Sequence, residues 1–172
     1  LTIVHLYDLR RLTLRELRQG TMFNVIIDNV TDTNSASALA DFQSVSNCKF
    51  KNFAQVIGFY GVSGSRGGNN ISATLFIKSV STNHLAFVAA NYYNMGQNTF
   101  IGGSGGVDME ACASLVCDSL LTFRNVATAV SVRDGSAFKG FQIQATNPTY
   151  CFLVSGGSKV IVADDILVAN AA

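Results

Sequence analysis

Two carboxylate residues lie two positions apart in the stretch VDME, a spacing that could support catalysis. They are Asp108 and Glu110. On a β-strand they would point to the same face, with Cα atoms about 6.5 to 7 Å apart. Glycosidases use two carboxyl groups, about 5 Å apart for retention of configuration and roughly 6.5 to 9.5 Å apart for inversion. Asp108 and Glu110 are therefore candidate catalytic residues of a polysaccharide hydrolase, and the simpler interpretation, two solvated acids beside a glycine-rich loop, stays open.

A second candidate site is the stretch NYYNMG, in which two tyrosines stand between two asparagines. Aromatic faces stack on the C–H faces of sugar rings, and neighbouring amides bond to sugar hydroxyls. The alternative is structural, with one tyrosine in the core and the other at an interface between subunits. The candidate ligand-binding residues are Asn91, Tyr92, Tyr93 and Asn94.

Metal-ligand spacing is absent from the sequence. The only histidines are His5 and His84, and no C-x-x-C pair occurs, so the pattern typical of zinc sites is missing. We expect no metal site and no cofactor, and we expect His84 at the surface or at a corner. The cysteines lie in apolar contexts and are expected to be small buried hydrophobic residues: Cys48, Cys112, Cys117 and Cys151.

The composition indicates a partner. Only 13% of the 172 residues are charged and 48% are hydrophobic, whereas an ordinary soluble domain has about 25% charged residues. A chain with so few charges exposes apolar patches that partners usually cover. We therefore expect identical subunits as neighbours.

Two other partners are not expected. The formal net charge of +1 provides no field that would attract nucleic acid. No run of about 18 apolar residues occurs, so membrane insertion is not predicted. The chain begins with Leu1 instead of methionine, from which we expect a piece of a longer protein.

The chain divides at Gly20. Residues 1–20 hold six charged residues and fit a helix or strands equally well, so we assign them to a connector or cap. After Gly20 the sequence consists of short β-rich runs separated by Gly, Ser, Asn, Asp or Thr. Residues 21–172 are assigned to a single β domain.

Internal repeats give the architecture of that domain. FKNFAQVIGF, starting at Phe50, matches FRNVATAVSV, starting at Phe123, and AVSVRDGSAF matches CFLVSGGSKV 22 residues later. Three short strands with three turns use about 22 residues, which is one coil of a three-faced parallel β-helix. Phe50 and Phe123 should then lie in one inward column about three coils apart, and Val132 should lie on Val154. Asn52 and Asn125 should turn corners, with side-chain amides bonded to the backbone.

These phrases, F-[KR]-N-x-A and x-V-x-x-G-S, resemble the right-handed parallel β-helix of the pectin-lyase-like superfamily, particularly the trimeric tailspikes and tail fibres of bacteriophages. The resemblance covers roughly residues 23–168. Gly61–Asn70 and Gly96–Asp108 break the period and are expected to be long loops or irregular coils. An antiparallel β-sandwich or jelly roll is the alternative fold.

The resemblance implies a function and an assembly. Subunits of such fibres are usually homotrimers, with flat β faces packed against two neighbours. We expect a structural segment of a phage tail fibre or tailspike that binds bacterial surface polysaccharide, assembled in the host cytoplasm and located on the virion tail. In this interpretation the segment has no catalytic activity. The alternatives are a glycan-depolymerising endoglycosidase that uses Asp108 and Glu110, and a β-helical adhesin of the bacterial cell surface.

Overall fold

The described part of the chain is built of β-strands. The computed structural model describes residues 4–9, 20–30, 37–38, 42–53, 57–60, 69–78, 82–90 and 93–170. No helix in these ranges has the length and apolar character needed to cross a bilayer. The strands are β1 (Val4–Leu9), β2 (Gly20–Phe23), β3 (Val25–Val30), β4 (Ser37–Ala38), β5 (Phe42–Ser46), β6 (Lys49–Phe53), β7 (Ile57–Tyr60), β8 (Asn69–Ser72), β9 (Thr74–Ile77), β10 (Asn83–Val88), β11 (Tyr93–Met95), β12 (Asn98–Ile101), β13 (Gly105–Glu110), β14 (Ser114–Cys117), β15 (Leu120–Arg124), β16 (Thr128–Val132), β17 (Ala137–Gly140), β18 (Gln142–Thr146), β19 (Tyr150–Val154), β20 (Lys159–Val162) and β21 (Ile166–Ala169).

The strands form three parallel sheets that run along a solenoid. The eight-stranded sheet has the order β1-β3-β6-β9-β12-β15-β18-β21, the six-stranded sheet β19-β16-β13-β10-β7-β4, and the seven-stranded sheet β2-β5-β8-β11-β14-β17-β20. From β2 onward, each strand pairs with the strand three places later in the chain, and one coil takes about 23 residues. The predicted parallel β-helix is thereby confirmed, and the antiparallel sandwich is excluded because the described strand pairings are parallel.

A stack of phenylalanine rings fills one side of the core. Inward positions of the eight-stranded sheet place Phe50, Phe76, Phe100 and Phe123 in consecutive coils. Neighbouring ring centroids are 5.2, 4.9 and 5.0 Å apart, and the rings are within 10° of parallel. This confirms the predicted column from Phe50 to Phe123, three coils apart. The second repeat is confirmed too, because Val132 pairs with Val154.

Asparagines at the corners adopt left-handed backbone conformations. Asn52 and Asn125 have φ values of 47° and 53°, a region in which Asn is favoured among non-glycine residues. The side-chain amides of these two residues bond to other side chains, and the predicted bonds to the backbone are not the ones observed. Asn147 Nδ2 donates to Asn125 Oδ1 at 2.9 Å, and Asn52 Nδ2 donates to Asp28 Oδ1 at 3.1 Å. The corner amides therefore tie one coil to the next through side chains.

The expected break in the period at Gly96–Asp108 is wrong. This stretch contains β12 and the start of β13, both in regular register with their neighbours. A three-residue turn joins them, with φ of 70° at Gly102 and 82° at Gly103. A Cβ atom at Gly102 would lie 2.2 Å from the Lys78 carbonyl oxygen, so glycine permits the close approach of two coils. The other expected break is Gly61–Asn70. Residues 61–68 lie outside the described part of the chain, and Asn69 and Asn70 belong to β8.

The amino-terminal segment contributes a strand to the solenoid. β1 lies within the segment assigned to a connector and pairs in parallel with β3. Residues 10–19 lie outside the described part of the chain. The division at Gly20 therefore stays a prediction.

The burial of the cysteines differs from the expectation at two positions. Cys48 and Cys117 are buried as expected, Cys151 is half-buried and Cys112 is exposed. Cys112 lies at a corner with a φ of 60°. Its side chain points away from the core, which the apolar sequence context does not reveal.

Exposed apolar side chains concentrate in the last described coil. Its strands β19, β20 and β21 each end a sheet, so one face of the coil is not covered by another described coil. The exposed large apolar residues of this coil are Tyr150, Leu153, Val154, Ile161, Ile166, Leu167 and Val168.

The phenylalanine stack should account for a large part of the stability. We expect Phe100→Ala to lower the free energy of unfolding by about 3 to 5 kcal/mol, because Phe100 is fully buried between two rings and the substitution leaves a cavity. The matched control is Phe141→Ala, since Phe141 is 42% exposed. Urea unfolding measures both variants, and equal losses would contradict the proposed role of the stack.

Candidate functional site

The outer face of the six-stranded sheet carries the candidate catalytic residues. In β13, Val107 and Met109 are buried in the core, so the alternating side chains of Asp108 and Glu110 point outward. Parallel pairing places Ser131 of the next coil beside Asp108, and Leu153 of the coil after that beside Ser131. The solenoid therefore builds a row of outward side chains across coils.

Arg133 joins the two carboxylates. Its Nη2 nitrogen lies 2.8 Å from Asp108 Oδ2 and 3.0 Å from Glu110 Oε2. Arg133 directly follows β16, and its backbone nitrogen donates to the Met109 carbonyl oxygen at 2.9 Å. This bond fixes the backbone of Arg133 one coil beyond the two acids and brings the guanidinium within reach of both.

A polar network holds Asp108 from the opposite side. Asn83 Nδ2 donates to Asp108 Oδ2 at 3.2 Å, and Ser104 Oγ donates to Asn83 Oδ1 at 3.1 Å. Gly105 provides the room, because a Cβ atom there would lie 2.4 Å from Asn83 Oδ1. Side chains from two neighbouring coils therefore orient the Asp108 carboxylate.

An open cleft of about 300 Å³ lies over this network. It crosses the strands β10, β13, β16 and β19 and combines hydroxyl, amide, charged and apolar side chains. Within the described residues, Asp108 Oδ1 is buried and has no hydrogen-bond partner. The residues that line the cleft are Asn83, Ser104, Gly105, Val107, Asp108, Thr128, Ser131, Arg133 and Leu153.

The carboxylate geometry bears on possible hydrolysis. Asp108 Oδ2 and Glu110 Oε2 contact the same nitrogen of Arg133, at 2.8 and 3.0 Å. The distance between these two oxygens therefore cannot exceed the sum of the two contacts. The structure brings the two acids together on one outward face, but a guanidinium lies between them. Their catalytic role stays a prediction.

The candidate sugar-binding stretch lies on a different sheet. Asn91 and Tyr92 are outside the described residues. Tyr93 and Asn94 belong to β11 of the seven-stranded sheet, where the backbone is described and the side chains are not. The structure therefore does not join this stretch to the Asp108 cleft, and the role of these four residues stays a prediction.

Sequence reasoning missed Asn83, Ser131 and Arg133. They are separated from Asp108 by about one coil in either direction, so no local motif contains them. The coil length was the available signal, since one coil beyond Glu110 leads to Arg133.

Candidate metal ligands are not grouped into a site in the described part of the chain. It contains no group of three His, Cys, Asp or Glu side chains placed to hold an ion.

A second polar cluster lies inside the solenoid, at the start of β10. His84 is buried against Phe76 and Phe100, and its Nε2 lies 2.8 Å from the Gly102 carbonyl oxygen. The expectation of a surface or corner position for His84 is thus wrong, because His84 is buried within β10. Lys78 is buried nearby, and its Nζ donates to Thr82 Oγ1 at 3.1 Å. Burial lowers the pKa of His84 to about 4 and the pKa of Lys78 to about 7.

These buried bases should make stability depend on pH. Between pH 6.5 and 4 the unfolded chain protonates His84 while the folded chain does not, so the free energy of unfolding falls as pH falls. Between about pH 10 and 7 the unfolded chain holds a proton on Lys78 that the folded chain releases, so the free energy of unfolding again falls as pH falls.

The two residues serve as controls for each other. We expect His84→Gln to flatten the profile between pH 6.5 and 4 only, and Lys78→Met to flatten it between pH 10 and 7 only. Urea unfolding across the pH range measures both profiles. Parallel profiles for the wild type and both variants would contradict these assignments.

The fold and the cleft define the chain as a parallel β-solenoid protein with a polar cleft on one outer face. Comparisons with protein-family models, with curated proteins and with solved structures find no match.

Proposed function

We propose that this protein is a structural, receptor-binding segment of a spike or fibre, and that the Asp108 cleft binds a bacterial surface glycan. The observation that carries the proposal is the cleft itself. Three successive coils there present hydroxyl, amide and charged groups, and a fourth adds an exposed leucine. Sugars are recognised by such convergent polar groups together with an apolar surface.

The solenoid suits an extended polymer ligand. Parallel strands lie about 4.8 Å apart, so outward side chains of neighbouring coils form regularly spaced rows. Coil-to-coil hydrogen bonds fix the backbone beneath the cleft on both sides of β13. A glycan lying across the coils would meet groups that are already in place, which limits the entropy lost on binding.

Individual groups of the cleft match the parts of a sugar. The Arg133 guanidinium has further N–H groups besides the nitrogen that binds the two acids, and these can donate to hydroxyl oxygens. Ser131 and Thr128 add hydroxyls at the cleft surface. Leu153 is 49% exposed and provides an apolar contact for the C–H face of a ring.

Arg133 provides the test of glycan binding. We expect Arg133→Ala to weaken binding by about tenfold or more, because it removes charge-assisted donors from the cleft. The control is Arg124→Ala, which removes the same charge from an exposed position on the eight-stranded sheet. An array of bacterial capsular polysaccharides and lipopolysaccharides, followed by calorimetry on the ligands found, gives both affinities.

Two results would count against this assignment. An equal loss of affinity in both variants would show a nonspecific charge effect, and no ligand for the wild type would refute glycan binding. Release of reducing ends in the same samples would favour the alternative of a glycan hydrolase. In that case Asp108→Asn and Glu110→Gln should abolish the release.

We further propose that the segment forms a homotrimer, as part of a phage tail. The low charge content supports identical neighbours. The number three and the virion location rest on the resemblance to tailspikes and tail fibres.

Light scattering tests the assembly. We expect a native mass of three times the 18.3 kDa of the chain, with dissociation in SDS on heating. A concentration-independent monomer would refute the trimer, and it would leave glycan binding by the single chain open to the array measurement.

A further inference from the structure

We propose that the Asp108 cleft selects glycans that lack carboxylate groups and that offer hydroxyl or amino donors. This inference rests on the proposed glycan binding and adds the class of sugar. It follows from the charges in and beside the cleft, from the way Arg133 is engaged, and from the acceptors that the protein leaves without donors.

The charge balance at the cleft is negative. Two carboxylates, Asp108 and Glu110, face a single guanidinium, that of Arg133. Asp108 and Arg133 line the cleft and the other lining residues are uncharged. Glu110 lies beside the cleft, on the same guanidinium, so one negative charge is left uncompensated next to the place where the ligand would lie. Because the cleft walls exclude part of the solvent, this charge is screened less than one on a flat surface.

Arg133 is already engaged by the protein. A single nitrogen of its guanidinium contacts both acids, at 2.8 and 3.0 Å. A ligand carboxylate that approached Arg133 would compete with these two groups and would be repelled by them. A neutral hydroxyl meets no such repulsion, and an ammonium is attracted by the two acids.

The acids also retain acceptor capacity. Glu110 makes one ion pair and its side chain is 35% exposed, so a ligand donor can reach it. Asp108 Oδ1 is enclosed and has no donor among the described residues. A buried carboxylate oxygen without a donor is unfavourable. A sugar hydroxyl or amine can therefore donate to the exposed part of the Glu110 carboxylate while Arg133 stays in place.

Matched polysaccharides test the selectivity. The probes are uronate-containing bacterial capsular polysaccharides and the same polymers after chemical reduction of the carboxyl groups to primary alcohols. We expect the wild type to bind the reduced form at least tenfold more tightly than the native form. The difference should shrink in 0.5 M salt, where the Debye length falls to roughly 4 Å.

Variants locate the effect in the cleft. Glu110→Gln removes the uncompensated charge and should narrow the preference for the reduced polymer severalfold. The matched control, Asp165→Asn, removes an exposed acid from the turn before β21 and should leave the preference unchanged. Both variants are first compared with the wild type by urea unfolding, so that a folding defect is recognised.

The outcomes separate this inference from the proposed function. Equal or tighter binding of the native acidic polymers would overturn the selectivity and leave glycan binding intact. The same narrowing in Asp165→Asn would also overturn it, since the cleft would then not be its source. Failure of every polysaccharide to bind would overturn the proposed function and this inference with it.

Discussion

The parallel pairing of each coil with the next is the interaction on which the structure depends. It joins strands about 23 residues apart, so no coil is complete without a neighbour. The same register that forms the backbone ladders stacks like side chains inside. The run from Phe50 to Phe123 shows the consequence, because ring spacings of 4.9 to 5.2 Å follow the spacing of the strands.

The outer face obeys the same register, and this explains how a chain with few charges places them. Lys51 pairs with Asp28 one coil earlier at 2.9 Å, and Arg133 pairs with Asp108. Exposed pairs of this kind contribute little stability individually. At the cleft, however, the register leaves two acids facing one base. An unequal charge count at one place on the surface is the property that would give this face a preference among ligands.

The corners decide where side chains can meet. Gly105 leaves space for Asn83, and Gly102 lets a turn approach the preceding coil. The turn at Gly102 also supplies the carbonyl oxygen that contacts His84, a buried base of β10. The same small residues that suggested an irregular loop in the sequence allow a tight and regular turn. Glycine and serine in such a run indicate a turn without indicating its length.

The sequence alone determined the β-rich composition, the repeat near 22 residues and the column that contains Phe50 and Phe123. These follow from local alternation and from a period, which are written along the chain. It also indicated that Asp108 and Glu110 would share a face, because a strand has a period of two. Only the tertiary structure decided that Arg133 and Asn83 lie at these acids and that His84 is buried. Such contacts join residues one coil apart, and they depend on the exact length of each corner, which composition and periodicity do not specify.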